Sequence, residues 1–213
     1  MLTDFIEMGR YFTAGRPFVK TPSPSMDILV SSNLERQLFE LTDRNPEAVR
    51  GWMEDLRTQG SFEVDEQTRE RMTSLYRGGS VDNETCLATI REVFEAHDYL
   101  IDPHTAVAMK VAEQLRDADV PVLVASTAHW AKFGNNVYRA LHGLSLSDEL
   151  PADVAALTGC QLNRLIADET GKSAIPAGLA ELDERPIRFA DTIEGAKENI
   201  EEAVCAFLEK LRA

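Results

Sequence analysis

Hydrophobic positions along this chain recur mostly at helical spacing and merge into continuous apolar runs at only a few points. In "NPEAVRGWMEDLRTQG", Val49, Trp52, Met53 and Leu56 form one stripe. Asn45 can cap that helix, Pro46 suits its first position and Gly60 can close it. "DNETCLATIREVFEAHD" repeats the pattern, with Asp82 or Asn83 as cap and Leu87, Ile90, Val93 and Phe94 facing inward. "DPHTAVAMKVAEQLRDA" starts with Asp102 as cap and Pro103 in the first helical position. Short helices are expected in the opening "MLTDFIEMGRYF", in "DEQTRERMTSLYRGGS", and in "NNVYRAL", "DVAAL" and "IPAGLAEL". "MDILVSSNLERQLFELT" sets Ile28, Leu29, Leu34, Leu38, Phe39 and Leu41 near helical spacing, while the Pro- and Ser-rich residues 13–25 read as loop. The tail "TIEGAKENIEEAVCAFLEKL" is amphipathic.

Strand signals are fewer. "PVLVAS" is the clearest buried strand, and "SFEV", "YLI" and "RPIRF" are shorter candidates. Helix, strand, helix and strand between residues 82 and 126 would make a parallel pair. The fold expected is therefore α/β and helix-rich, with few short, mostly parallel strands. A mainly helical segment over 1–80 and an α/β segment over 81–213 would meet at the Gly-Gly loop around residues 77–80.

Composition narrows the partners. A net charge of −14 leaves no cationic excess to neutralise phosphates, so neither nucleic acid nor an anionic membrane is expected as a partner. Cys86, Cys160 and Cys205 lie far apart with no CxxC pair, which fits idle thiols in a reducing compartment. No apolar run approaches membrane-spanning length and no leader pattern opens the chain, so a cytoplasmic protein is expected.

Candidate chemistry is thin when taken one motif at a time. His97-Asp98 resembles half of a metal-dependent phosphohydrolase site, but only four histidines are present and a helix-ending imidazole explains His97 as well. No metal is expected. "RGGS" and "FGNN" lack the strand–loop–helix setting of a phosphate cradle. Ser126, His129 and Asp102 can be arranged as a triad on paper, without a nucleophile elbow to support it. Three polar clusters remain: Ser25, Asp27, Ser31, Ser32 and Asn33; then "DPHT"; then "STAHWAKF", where an apolar run stops at two hydroxyls. Polar groups at strand ends and helix starts are where α/β folds bind ligands, and together the clusters suggest one site.

The same stretches resemble a family. "SPSMDILVSSNLERQLFEL", "YLIDPHTAVA", "VASTAHWAKF" and "IPAGLAELDERPIRF" are similar, in order, to landmarks of bacterial threonine synthases, and "MLTDFIEMGRYF" resembles the middle of an earlier one. The resemblance covers nearly all of residues 1–189 and implies part of a fold-type II enzyme that uses pyridoxal 5′-phosphate. Such enzymes convert O-phospho-L-homoserine and water to L-threonine and phosphate. By the resemblance Thr127 bonds the pyridine nitrogen of the cofactor, with Ser126 its neighbour. Lys132, His104, Thr105, Ser25 and Asp27 become candidates for substrate contacts. Trp130-Ala131 departs from the family, where many relatives carry a Pro nearby.

The family's Schiff-base lysine and Gly/Asn-rich phosphate loop lie upstream of the region matched. None of Lys20, Lys110, Lys132, Lys172, Lys197 and Lys210 corresponds to that lysine. The resemblance thus implies a C-terminal part, with one incomplete domain over 1–213 as the alternative to two segments, not competent as an enzyme alone and not expected to bind the cofactor alone. Its partner would be the missing N-terminal part or a separate chain carrying it. The rival reading is a non-catalytic interaction or regulatory fragment that covers its bare edges by self-association.

Overall fold

The computed structural model describes residues 1–172, 175–187 and 192–212. The order begins α1 (Leu2–Met8), β1 (Arg10–Phe12), α2 (Leu34–Leu41), α3 (Pro46–Gln59), β2 (Ser61–Glu63) and α4 (Glu66–Leu75). It continues α5 (Asn83–His97), α6 (Pro103–Leu115), α7 (Gly134–His142), α8 (Ala152–Ala155), α9 (Gly159–Thr170), α10 (Ala177–Ala180) and α11 (Lys197–Arg212). Helix therefore dominates, as the spacing of apolar residues predicts.

The first layer forms around one small antiparallel pair, in which Tyr11 of β1 faces Phe62 of β2. Their rings stack at 5.5 Å, and Phe5 of α1 meets both edge-on at 5.9 and 5.7 Å. Leu38 and Leu41 from α2 and Met72 from α4 close the cluster. Gly60 makes the turn between α3 and β2 possible. It sits at φ 72°, returns its N–H to the Leu56 carbonyl, and accepts the Thr13 N–H at 2.8 Å on its own carbonyl. Only a residue without Cβ enters the left-handed region at little cost.

In the second half, α5 packs against α6 and α7, and α7 against α9. Cys86, Leu87 and Ile90 of α5 meet Ile101, Ala106 and Ala140 in one cluster. Trp130, Val137, Tyr138, Leu162 and Ile166 form another. Asp82 and Asp102 cap α5 and α6 by accepting from Thr85 N–H and His104 N–H. Both roles match the pattern reading.

The strands differ from expectation. Among the described residues the sheet consists of β1 and β2 alone, and they run antiparallel. β1 is a strand the spacing did not predict; it exists because α3 returns β2 beside it. "YLI" and the "PVLVAS" run are not strands, since neither has a neighbouring strand among the described residues to complete a ladder. Of "RPIRF", residues 185–187 hold no strand and Arg188 and Phe189 lie outside the described residues. The helix expected from Met26 starts only at Leu34. Tyr11 explains that shortening: its hydroxyl donates to the Leu29 carbonyl at 3.1 Å and accepts the Ser31 N–H at 2.9 Å. Those backbone groups are thereby withdrawn from helical pairing.

Gly60→Ala should destabilise the protein by about 1–2 kcal/mol for the left-handed backbone alone. The added methyl would also stand 2.8 Å from Ala14 Cβ. Urea denaturation checks this; an unchanged midpoint would contradict the role given to Gly60.

Candidate functional site

Asp102 combines two demands on one carboxylate: it caps α6 and it is 1% exposed. A buried carboxylate has to be filled with donors. Oδ1 accepts the His104 N–H at 2.9 Å and faces His104 Nδ1 at 2.8 Å, and Oδ2 accepts the Thr105 hydroxyl. His104 Nε2 accepts the Ser25 N–H at 3.3 Å. An acceptor at Nε2 and a carboxylate at Nδ1 fix the neutral tautomer with its proton on Nδ1. The imidazole packs on Phe133, with ring centroids 4.7 Å apart.

The second arm of Asp102 reaches the end of the apolar run. Thr105 Oγ1 and Ser126 Oγ are 3.1 Å apart. A carboxylate only accepts, so the single Thr105 proton is committed to Asp102 and Ser126 must supply the proton between the two hydroxyls. Ser126 is thus held while the adjacent Thr127 is exposed, with no hydrogen-bond partner for its hydroxyl among the described residues. Beside them lies a cleft of about 250 Å³, lined by Tyr99, Leu100, Asp102, Ser126, His129 and Lys172. His129 caps the turn at Trp130–Phe133 by accepting the Ala131 N–H at Nδ1, 3.2 Å away. Burial lowers its pKa below 6.5, and the Asp102 charge opposes that shift without cancelling it.

The structure thus brings together Ser25, His104, Thr105 and Ser126, with Thr127 next in the chain. Lys132 is exposed, its ammonium 5.9 Å from the centroid of the Phe133 ring that packs on His104. Asp27 stands apart. Its carboxylate accepts the Thr21 N–H at 2.9 Å and the Thr21 hydroxyl at 2.6 Å, and it lines a different groove with Arg16 and Phe18. His97 ends α5, and Asp98 pairs with Lys172. Among the described residues no group of His, Cys, Asp and Glu is arranged to hold a metal ion, and no helix is long and apolar enough to cross a membrane.

Asp102 is legible in the sequence as a cap and within the polar "DPHT" cluster, but its role in holding Thr105 and the imidazole depends on its burial. Lys172 offers no signal, since it reaches the cleft across 74 positions through its pair with Asp98.

Hydroxyls, an imidazole and a carboxylate thus meet where an apolar run ends beside a helix start, the kind of polar cluster at which α/β folds bind ligands. Comparison with known proteins narrows the class. Residues 105–204 match the family described as "Threonine synthase, C-terminal". Threonine synthase of Pseudomonas aeruginosa is 38% identical over 136 residues, 63% of this chain and 29% of that protein. A crystal structure of threonine synthase from yeast superimposes with TM-score 0.71 at 28% identity, covering 98% of this chain and 40% of that one. The PLP-bound threonine synthase from Brucella melitensis gives TM-score 0.62 at 32% identity, over 82% of this chain and 38% of that one. The chain is a C-terminal threonine synthase-like polypeptide. It spans from 19% to 39% of the length of the curated relatives it matches.

The lowered pKa of His129 gives a pH prediction. Its neutral form is favoured in the folded chain, so the stability it adds is present above the unfolded value near 6.5 and is lost as pH falls through the lower folded value. His129→Asn keeps a capping acceptor without that titration. Thermal melts should show a smaller loss of stability below pH 6.5 for the variant than for the parent. Parallel curves would refute the assignment.

Proposed function

We propose that this chain contributes the C-terminal part of the active site of a threonine synthase, which converts O-phospho-L-homoserine and water to L-threonine and phosphate with pyridoxal 5′-phosphate. The observation that carries the reading is the hydroxyl of Thr127. It is exposed and uncommitted beside a serine that Asp102 and Thr105 hold in place.

That donor set fits the coenzyme. A hydroxyl can donate to or accept from a pyridine nitrogen, so Thr127 can meet the ring without requiring a proton on it. When bound, the coenzyme supplies the electron sink for carbanion chemistry. The chain's own part is positioning. The Asp102 network fixes the backbone before Thr127, and His104 ties the Ser25 loop to the same carboxylate. With both its ring nitrogens engaged inside the chain, His104 acts as a clamp in this reading. Exposed Lys132 is the cation available for the substrate phosphate, as a point charge on a flexible stem.

The lysine that anchors the coenzyme belongs, in this reading, to the N-terminal part of the enzyme. Lys20, Lys132, Lys197 and Lys210 are exposed, while Lys110 and Lys172 are half-buried and paired with Glu113 and Asp98. In this reading none of them is the Schiff-base amine, which has to stand in a desolvated pocket.

The test uses the enzyme assembled from this chain and the N-terminal part, loaded with pyridoxal 5′-phosphate. Thr127→Ser should keep the coenzyme absorbance and phosphate release. Thr127→Val should shift the absorbance and slow release roughly tenfold, the worth of about one hydrogen bond. Lys132→Ala should raise KM for O-phospho-L-homoserine with little change in kcat. Wild-type spectra and rates for Thr127→Val would overturn the reading.

A further inference from the structure

Arg91 is half-buried on α5, and its guanidinium has no hydrogen-bond or ion-pair partner among the described residues. The other half-buried lysines and arginines there are all bonded: Arg16 to Asp4, Arg71 to Asp43, Lys110 to Glu113, Lys172 to Asp98, and Arg139 to oxygens of its own loop and helix. A guanidinium carries five N–H donors and does not shed its charge, so drawing it partly out of water without an acceptor is unfavourable. Arg91 lies against the last turn of α7, where a Cβ on Gly143 would stand 2.8 Å from its Nη1. A cation suits a helix C-terminus, yet Arg91 donates to none of the carbonyls there, so the helix end leaves its donors unused. Arg139 opens on the same cavity, of about 370 Å³ between α5 and α7. Its Nε donates to Asn135 Oδ1 at 3.1 Å, and its Nη1 to the Ser145 and Asp148 carbonyls at 2.6 and 2.8 Å. Nη2 is left without an acceptor among the described residues. Leu87, Ala140 and Leu144 give the cavity an apolar wall, and exposed Glu84 and Glu92, neither of them ion-paired, line it as well.

We propose that this cavity binds a small aliphatic carboxylate, its oxygens held by Arg91 and by Nη2 of Arg139 and its apolar body against Leu87, Ala140 and Leu144. The planar fork of a guanidinium matches the two oxygens of a carboxylate, and charge-assisted bonds of that kind are the strong ones. A pocket of this size, largely apolar with a few convergent polar groups, suits a small molecule rather than a macromolecule. Glu84 and Glu92 limit the charge of the ligand, because a second negative charge beside them would be repelled. That favours a monocarboxylate over a phosphate dianion. The cavity shares no lining residue with the cleft beside Asp102, and the proposal does not rest on the coenzyme reading.

NMR titration of the full chain with isovalerate tests it. The Gly143 and Leu144 amides and the Nε–H signals of Arg91 and Arg139 should shift and saturate, while the Ser126 and Thr127 amides stay in place. Arg91→Gln should weaken binding roughly tenfold, the worth of a charge-assisted hydrogen bond. Its melting temperature should match the parent, because Arg91 has no partner to lose. Isoamyl alcohol, which lacks the carboxylate, and inorganic phosphate, which lacks the apolar body, should each bind the parent at least roughly tenfold more weakly than isovalerate. Those two comparisons decide the matter even if Arg91→Gln fails to fold. L-valine separates the sources of the carboxylate. Binding as tight as isovalerate brings amino acids into the class, and weaker binding restricts it to carboxylates without an ammonium. No saturable shift at Gly143, equal binding of the alcohol or of phosphate, or unchanged affinity in Arg91→Gln would each overturn the proposal and leave the coenzyme reading untouched.

Discussion

The arrangement depends on a buried carboxylate that cannot be left unfilled. Asp102 sits at the start of α6, and its two oxygens take a backbone N–H, an imidazole N–H and a hydroxyl. An unpaired charge in that position would cost several kcal/mol, so every donor around it is constrained by its demand. His104 and Thr105 belong to the same helical turn, but each passes the constraint outward. The imidazole takes the Ser25 N–H, 79 residues away, and the hydroxyl meets Ser126, 21 residues away. Three segments that share no regular hydrogen-bonded ladder are thereby held at one place.

This explains how a helix-rich chain can position a site at the end of a run that is not itself a strand. In an ordinary α/β sheet the ladder fixes where strand ends point. Here the side-chain network performs that task at Ser126, and Asn136 adds a second tie by donating to the Pro22 carbonyl at 2.9 Å. The apolar body of the run, by contrast, is left largely to solvent. The chemistry-bearing end and the exposed middle of one short segment thus carry different kinds of information. The end is tied into a polar network, and the middle is apolar on both faces.

Local signals in the sequence were legible where they act locally. Asn45 and Gly60 bound α3, Asp82 starts α5 and Asp102 starts α6, because capping depends on a few neighbouring residues. α9 was missed although Thr158 and Gln161 form a capping box, a spacing that could have revealed it. Non-local features were harder. β1 is three residues long and exists through pairing with residues 61–63, which no periodicity in "RYF" announces. The Tyr11 hydroxyl overrides the helical spacing from Met26 by binding the backbone of Leu29 and Ser31. Of the candidate site, the types at Ser25, His104, Thr105 and Ser126 were readable and do converge. Asp27 satisfies its own loop instead, and the hub role of Asp102 emerges only when its burial is known.

The most direct measurement is the protonation pattern of His104 by 15N NMR, in the parent and in Asp102→Ala. If Asp102 organises the three segments, His104 in the parent is a neutral ring with its proton on Nδ1 and a bare, accepting Nε2. Removing the carboxylate then abolishes that preference and speeds exchange of the Ser25 amide. A proton on Nε2 in the parent, or a Ser25 amide indifferent to the loss of Asp102, would contradict the account.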